Sequence, residues 1–146
     1  MSLNSDMMKA FVDTDVIFDF LLRREPFAHD AALLFNAGRQ GRLQLHVSAL
    51  CISNIYYLLR KRIGHKETLE KLRALLRLCE VLEVNGRVIL DALDSRFKDF
   101  EDAIQYHSAA NHESIDVIVT RNAKDFTASA IPVMTASGLI QALDGK

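Results

Sequence analysis

The sequence predicts an α/β fold with a mainly parallel central sheet, and three observations lead there. Short β-type runs alternate with amphipathic segments of helix length from end to end. Asp116 apart, the run Ile115–Thr120 is apolar or β-branched on both faces, as a strand covered on both sides must be. Parallel strands need crossovers long enough to hold a helix, and this order supplies them. A length of 146 residues suits one domain. Residues 1–8 read as a disordered leader or extension and 9–146 as the domain.

In chain order, Lys9–Asp13 is a short apolar run ending in acid, so a strand. Val16, Ile17, Phe20 and Leu21 follow at helical spacing and stop before Glu25-Pro26. Phe27–Gln40 carries Ala31, Leu34 and Phe35 on one helical face, and Gly38 or Gly41 supplies a left-handed stop. Leu43–Val47 alternates as a strand, and Ser48 is a good N-cap for the next helix, whose apolar positions include Ile52, Ile55, Tyr56 and Leu59 and which ends near Gly64. From His65, the positions Leu69, Leu72, Leu76 and Cys79 form one stripe of a further helix. Val81–Val84 is expected as a third strand, with Asn85-Gly86 as the turn into a helix over Val88–Phe97. Asp99–Glu113 reads as a helix, Ile115–Thr120 as the fourth strand, and Ile131–Met134 with Ala136–Leu143 as a last strand and helix. The sheet therefore has four to five strands.

Composition narrows the function. With 49% hydrophobic and 25% charged residues, the chain is an ordinary globular protein. Its apolar runs are far shorter than the roughly 20 residues of a membrane span. Residues 1–10 lack the basic-then-apolar order of a signal peptide, so a cytoplasmic location without membrane contact is expected. Cys51 and Cys79 both fall in apolar helical patterns and read as reduced core thiols. The five histidines show no zinc spacing. A net charge of −1 gives no whole-molecule attraction for nucleic acid, yet seven of the 18 Lys and Arg residues crowd between Arg60 and Arg77.

In parallel sheets the ligand site lies beyond the carboxyl ends of the strands. Asp13 and Asp15 follow the first strand, Ser48 through Asn54 the second, and Thr120, Asn122 and Asp125 the fourth. The helix from Asp99 would begin at the opposite edge unless a connection brings it back. Asp99 and Asp102 share a helical face, a spacing that serves equally as a capping-box-like start with no chemistry. If these carboxylates do share a cleft they repel one another and must take up protons or a cation. Mg²⁺ or Mn²⁺, which prefers oxygen ligands and activates bound water, is the economical cofactor.

The stretches FVDTDVIFDFLLRREPF, VSALCISNIYYLLRK, DFEDAIQYHSAA, DVIVTRNAKDF and IPVMTASGLI, in this order, resemble the PIN domain in the subgroup near VapC-type toxins, from about Lys9 to Ile140. The resemblance implies a three-layer, Rossmann-like sandwich in which the acidic helix does return to the strand edge. It implies a metal-dependent endoribonuclease acting on single-stranded RNA, with Asp13, Asp102 and Asp125 as catalytic metal ligands, Asn122 as a close alternative to Asp125, and Asp99 as an auxiliary ligand. Where many PIN domains carry a glutamate, this chain has Asn54, an oxygen ligand with one negative charge fewer. Thr14, Ser48 and Asn122 would orient these groups. Arg60, Lys61, Arg62, Lys66, Arg73, Arg77 and Arg121 would contact RNA phosphates. A small antitoxin and a homodimer are the partners implied.

Two other readings stand beside it. The missing glutamate suits a catalytically weak RNA- or protein-binding module. Asp13-Thr14-Asp15-Val16 also resembles the start of haloacid-dehalogenase-type phosphatases, without their downstream acidic pair.

Overall fold

The structure, a computed structural model, describes residues 7–112 and 114–145. Most of the expected leader, residues 1–6, lies outside them, and the first strand opens one residue inside the stretch assigned to it, at Met8. The strands are β1 (Met8–Val12), β2 (Leu43–Ser48), β3 (Cys79–Leu82), β4 (Val117–Val119) and β5 (Val133–Met134). All four pairings are parallel and the order is β3-β2-β1-β4-β5. The helices are α1 (Thr14–Leu21), α2 (Ala28–Arg39), α3 (Ala49–Leu76), α4 (Gly86–Leu93), α5 (Phe100–Ala110) and α6 (Ala136–Asp144).

Alternation along the strands sorts the core into two layers. Ala10, Val12, Leu43, Leu45, Val47, Val117 and Val119 pack with α1, α2, α3 and α6. Phe11 and Ile118 face the other way, onto Tyr106 and Ala109 of α5 and onto Phe126. The expected three-layer sandwich follows, with the central strands β1, β2 and β4 buried on both sides. Among the described residues no helix is long and apolar enough to cross a membrane.

Gly64 interrupts α3 with φ +82° and ψ 170°, a conformation that a side chain would strongly oppose. That break is where the sequence places a helix end. Gly41, at φ +76°, supplies the left-handed stop beyond α2.

Several boundaries differ from expectation, β4 and β5 both being shorter than the runs assigned to them. Cys79 opens β3, paired with Leu45, instead of closing a helix, and the strand sits two residues ahead of Val81–Val84. Helical spacing carries the stripe from Leu72 through Leu76 to Cys79, but Leu75 is the buried residue and Leu76 faces solvent. Periodicity could not see where the helix stopped. α4 starts earlier than expected because the Asn85 side chain caps it by accepting from Val88 N at 3.0 Å, and it ends sooner, at Leu93. Phe97 lies beyond it, stacked on Tyr106 with ring centroids 5.0 Å apart. α5 ends at Ala110, while the expected last residue, Glu113, lies outside the described residues.

Candidate active site

β1 has β2 on one side and β4 on the other, so the chain direction of the crossovers reverses at β1/β4 and leaves a crevice beyond their carboxyl ends. A cleft of about 500 Å³ occupies that crevice. Asp13 is its floor. It caps α1 and is only 5% exposed. Its Oδ1 accepts from Thr14 N at 2.8 Å and from Gln105 Nε2 at 3.1 Å, and its Oδ2 accepts from Thr120 Oγ1 at 2.8 Å. The same Thr120 oxygen accepts from Asn122 N at 3.0 Å, and Asn122 Nδ2 donates to Asp15 Oδ2 at 3.0 Å. The loop after β4 is thus fastened to both acids that follow β1.

The first turn of α5 lies in this cleft, not at the opposite edge. A helix that feeds a parallel strand must run counter to it, so α5 starts at the carboxyl edge in order to deliver the chain to the start of β4. Asp99 caps the helix, its Oδ1 accepting from Asp102 N at 2.9 Å, so the capping geometry is present and both carboxylates also face the cleft. Asn54, Asn122 and Asp125 line it as well. Asn54 Nδ2 donates to Glu101 Oε2 at 3.3 Å, so a carboxylate from α5 stands against the amide.

Electrostatics follow from the crowding. Burial raises the Asp13 carboxyl above the usual range, the Thr120 hydrogen bond opposes this, and Asp15 adds to it. Asp102 is pushed up to about 7 by burial and then by the charges of Asp13, Asp99, Asp125 and Asp15. Six carboxylates line the cleft and, among the described residues, no lysine or arginine does. The lining is also free of histidine and cysteine, a hard oxygen donor set that suits a hard divalent cation. As placed, no three of the described His, Cys, Asp and Glu side chains form a group that encloses an ion.

Not every expected residue reaches the cleft. Ser48 is fully buried and its hydroxyl accepts from Cys51 N at 3.1 Å, capping α3. Thr14 does line the cleft, and its hydroxyl reaches Asp13 through Gln105, donating to Oε1 at 3.2 Å. Arg121 is turned away: Nε lies 2.7 Å from Oδ2 of buried Asp19, which Arg24 also holds at 3.0 Å, and the guanidinium covers the Phe27 ring at 4.0 Å. Arg60, Lys61, Arg62 and Lys66 are exposed on α3 beyond the cleft. Arg73 and Arg77 lie toward the end of α3, which enters β3 at the amino edge of the sheet. Strand order already places Asp15 and Thr120 at the site edge, though without a role, while Glu101, Gln105 and Tyr57 had no place there. Glu101 carried the signal of an acid beside Asp102; Gln105, and the bond that Thr120 makes to Asp13, emerge only from contacts across more than 90 residues.

The model for the PIN domain matches residues 9–124. The chain belongs to the PIN domain family. It is 30% identical over 138 residues to ribonuclease VapC1 of Aquifex aeolicus strain VF5, covering 91% of this chain and 92% of that protein. The PIN fold recurs in solved structures. VapBC-1 from nontypeable Haemophilus influenzae matches with a TM-score of 0.65 at 17% identity, covering 89% of this chain and 99% of that one. A toxin-antitoxin complex from Klebsiella pneumoniae matches with a TM-score of 0.64 at 23% identity, covering 87% and 97%. With a PIN domain shown, Asp13-Thr14-Asp15-Val16 is no sign of a haloacid-dehalogenase-type phosphatase.

Proposed function

We propose that this PIN domain is a metal-dependent endoribonuclease that hydrolyses phosphodiester bonds of single-stranded RNA and is the toxin of a toxin–antitoxin pair. One observation carries it: buried Asp13 and the Asp102 carboxyl, pushed up to about 7, face one another's charge in a cleft of six carboxylates that, among the described residues, holds no cationic side chain. Such a cleft is costly without a cation. Asp13, Asp102 and Asp125 would hold Mg²⁺ or Mn²⁺, with Asp99 as auxiliary ligand. Bound there, the ion would polarise the scissile phosphate and lower the pKa of a ligand water.

The chain's own groups do the rest. Thr120 and Gln105 fix both oxygens of Asp13, and Asn122 holds Asp15, so the carboxylates are positioned before substrate arrives. Glu101 beside Asn54 returns the negative charge that the asparagine removes, which favours an active enzyme over a binding module with weak catalysis. Arg60, Lys61, Arg62 and Lys66 would guide RNA phosphates outside the cleft. The ribonuclease name of the Aquifex relative supports RNA as substrate, and the toxin-antitoxin assemblies of the structural relatives support a small antitoxin partner. A homodimer acting in the cytoplasm completes the proposal.

The test is cleavage of labelled single-stranded and duplex RNA of one sequence with Mg²⁺, Mn²⁺ or EDTA. Cutting of the single strand alone, abolished by EDTA, is expected. Cutting that survives EDTA, or no cutting with either ion, contradicts the proposal.

A further inference from the structure

A cleft lined by Asp13, Asp15, Asp99, Glu101, Asp102 and Asp125 repels a polyanion, and even a bound divalent ion offsets only part of that charge. Because no lysine or arginine lines the cleft among the described residues, the nucleotide beside the scissile phosphate must be held by uncharged contacts. α3 offers them. Three and four residues after Asn54, Tyr57 and Leu58 line the same cleft, yet they are 59% and 50% exposed and belong to none of the core clusters.

The Tyr57 ring meets Tyr56 edge to face, centroids 5.3 Å apart, and its exposure leaves ring surface open to solvent. Tyr56 is itself fixed, its hydroxyl 2.9 Å from His65 Nδ1 across the Gly64 break. The open aromatic therefore stands on a braced support at the rim of the acid cluster.

We propose that Tyr57 is a specificity-determining residue whose ring stacks on an unpaired RNA base adjacent to the bond being cleaved, with Leu58 flanking it. This rests on the cleft being the ribonuclease site. Every base offers a π face, so the contact tolerates any sequence, but bases stacked and paired in a duplex are not free to make it. An apolar partner surface fits less well, because it would have to bury the neighbouring carboxylates without hydrating them.

The chain has no tryptophan, so Tyr57→Trp introduces a single indole at the contact. The experiment follows its emission by stopped flow with Mg²⁺, read before turnover, on mixing with single-stranded RNA or an abasic strand of equal length and charge. Binding of both strands to the natural chain, Tyr57→Phe and Tyr57→Ala is measured by anisotropy. Expected are quenching by RNA and not by the abasic strand, and a Kd for RNA about tenfold weaker for Tyr57→Ala, with Tyr57→Phe close to the natural chain. The natural chain should bind the abasic strand no better than Tyr57→Ala binds RNA. RNA binding without quenching, and unchanged in Tyr57→Ala, overturns stacking while leaving the cleft's assignment intact. No RNA binding by the natural chain removes the ribonuclease assignment and stacking with it. Emission that shifts with protein concentration alone assigns the surface to a contact between copies and likewise overturns the proposal.

Discussion

Thr120 Oγ1 donates to Asp13 Oδ2 at 2.8 Å, a buried hydrogen bond between residues 107 positions apart that ties the end of β4 to the end of β1. Thr120 itself is fully buried, so this hydroxyl has no water to fall back on. Its bond both orients the carboxylate and favours the ionised form that a cation needs.

Thr120→Val keeps the shape of the side chain and removes the donor. Cation affinity or RNA cleavage should fall by roughly 10- to 100-fold, as is usual when a group that orients a metal ligand is lost. Unfolding in urea should show a loss of only about 1–3 kcal/mol. Full activity in this variant would mean that Asp13 needs no such support.

Asp102 gives the metal-free protein a characteristic pH dependence. Its folded pKa, about 7, lies above the ordinary carboxylate value, so between roughly pH 4 and 7 the folded state holds a proton that the unfolded state has lost. Stability from this group therefore falls as pH rises to about 7 and stays low above it. In EDTA at pH 8, Asp102→Asn should melt higher than the natural chain, and at pH 4.5 the gap should close. Added Mg²⁺ should raise the melting temperature of the natural chain and leave that of Asp102→Asn nearly unmoved.

Asp19 is 1% exposed and holds Arg121 at 2.7 Å and Arg24 at 3.0 Å, so the loop that carries Asn122 and Asp125 is anchored to α1. Asp19→Ala strands two partly buried guanidinium groups and should cost about 3 kcal/mol in urea unfolding. A change below about 1 kcal/mol would show that the loop is held by other contacts.

His46 works in the opposite direction. The ring, carried by β2, is fully buried, neither nitrogen makes a hydrogen bond, and His112 packs at 5.3 Å. Burial lowers its pKa, His112 adds to this, and Glu80, with Oε2 3.1 Å from Nε2 but poorly aligned, opposes it. The folded state rejects a proton that the unfolded state accepts below about pH 6.5. Stability from this group is full above that pH and declines below it, by at most about 1.4 kcal/mol per pH unit. His46→Phe should flatten that decline between pH 6.5 and 5, read from the difference between the two unfolding curves.

Cys51 and Cys79 are buried and their thiols are pushed up to about 12 by desolvation, so no thiolate is available at neutral pH. A thiol reagent should label neither in the native protein and both in denaturant. Prompt native labelling would place one of them at an accessible surface.

How far the sequence discloses this site depends on what each contact requires. Asp13, Asn122 and Asp125 were legible because parallel strands end at one edge, beyond which the ligand site of such a sheet lies. The direction of α5 was legible in principle too, since a helix entering a parallel strand can only run against it. Gln105 was not, because its spacing marks a buried helical position and nothing local indicates that its amide faces a carboxylate 92 residues earlier. Arg121 misled for the same reason: a cation beside the acidic loop looks free until Asp19, 102 residues away, is placed under it. β3 was misplaced because the spacing from Leu72 to Cys79 satisfies a helix as well as it satisfies the chain that follows one.

The most direct test of a cation-dependent acidic centre compares RNA cleavage by the natural chain, Asp13→Asn and Asp102→Asn, prepared identically, across a Mg²⁺ titration. Cation-dependent cutting by the natural chain is expected, with a loss of at least about 100-fold in both variants and all three folded. Equal cutting by all three would contradict it.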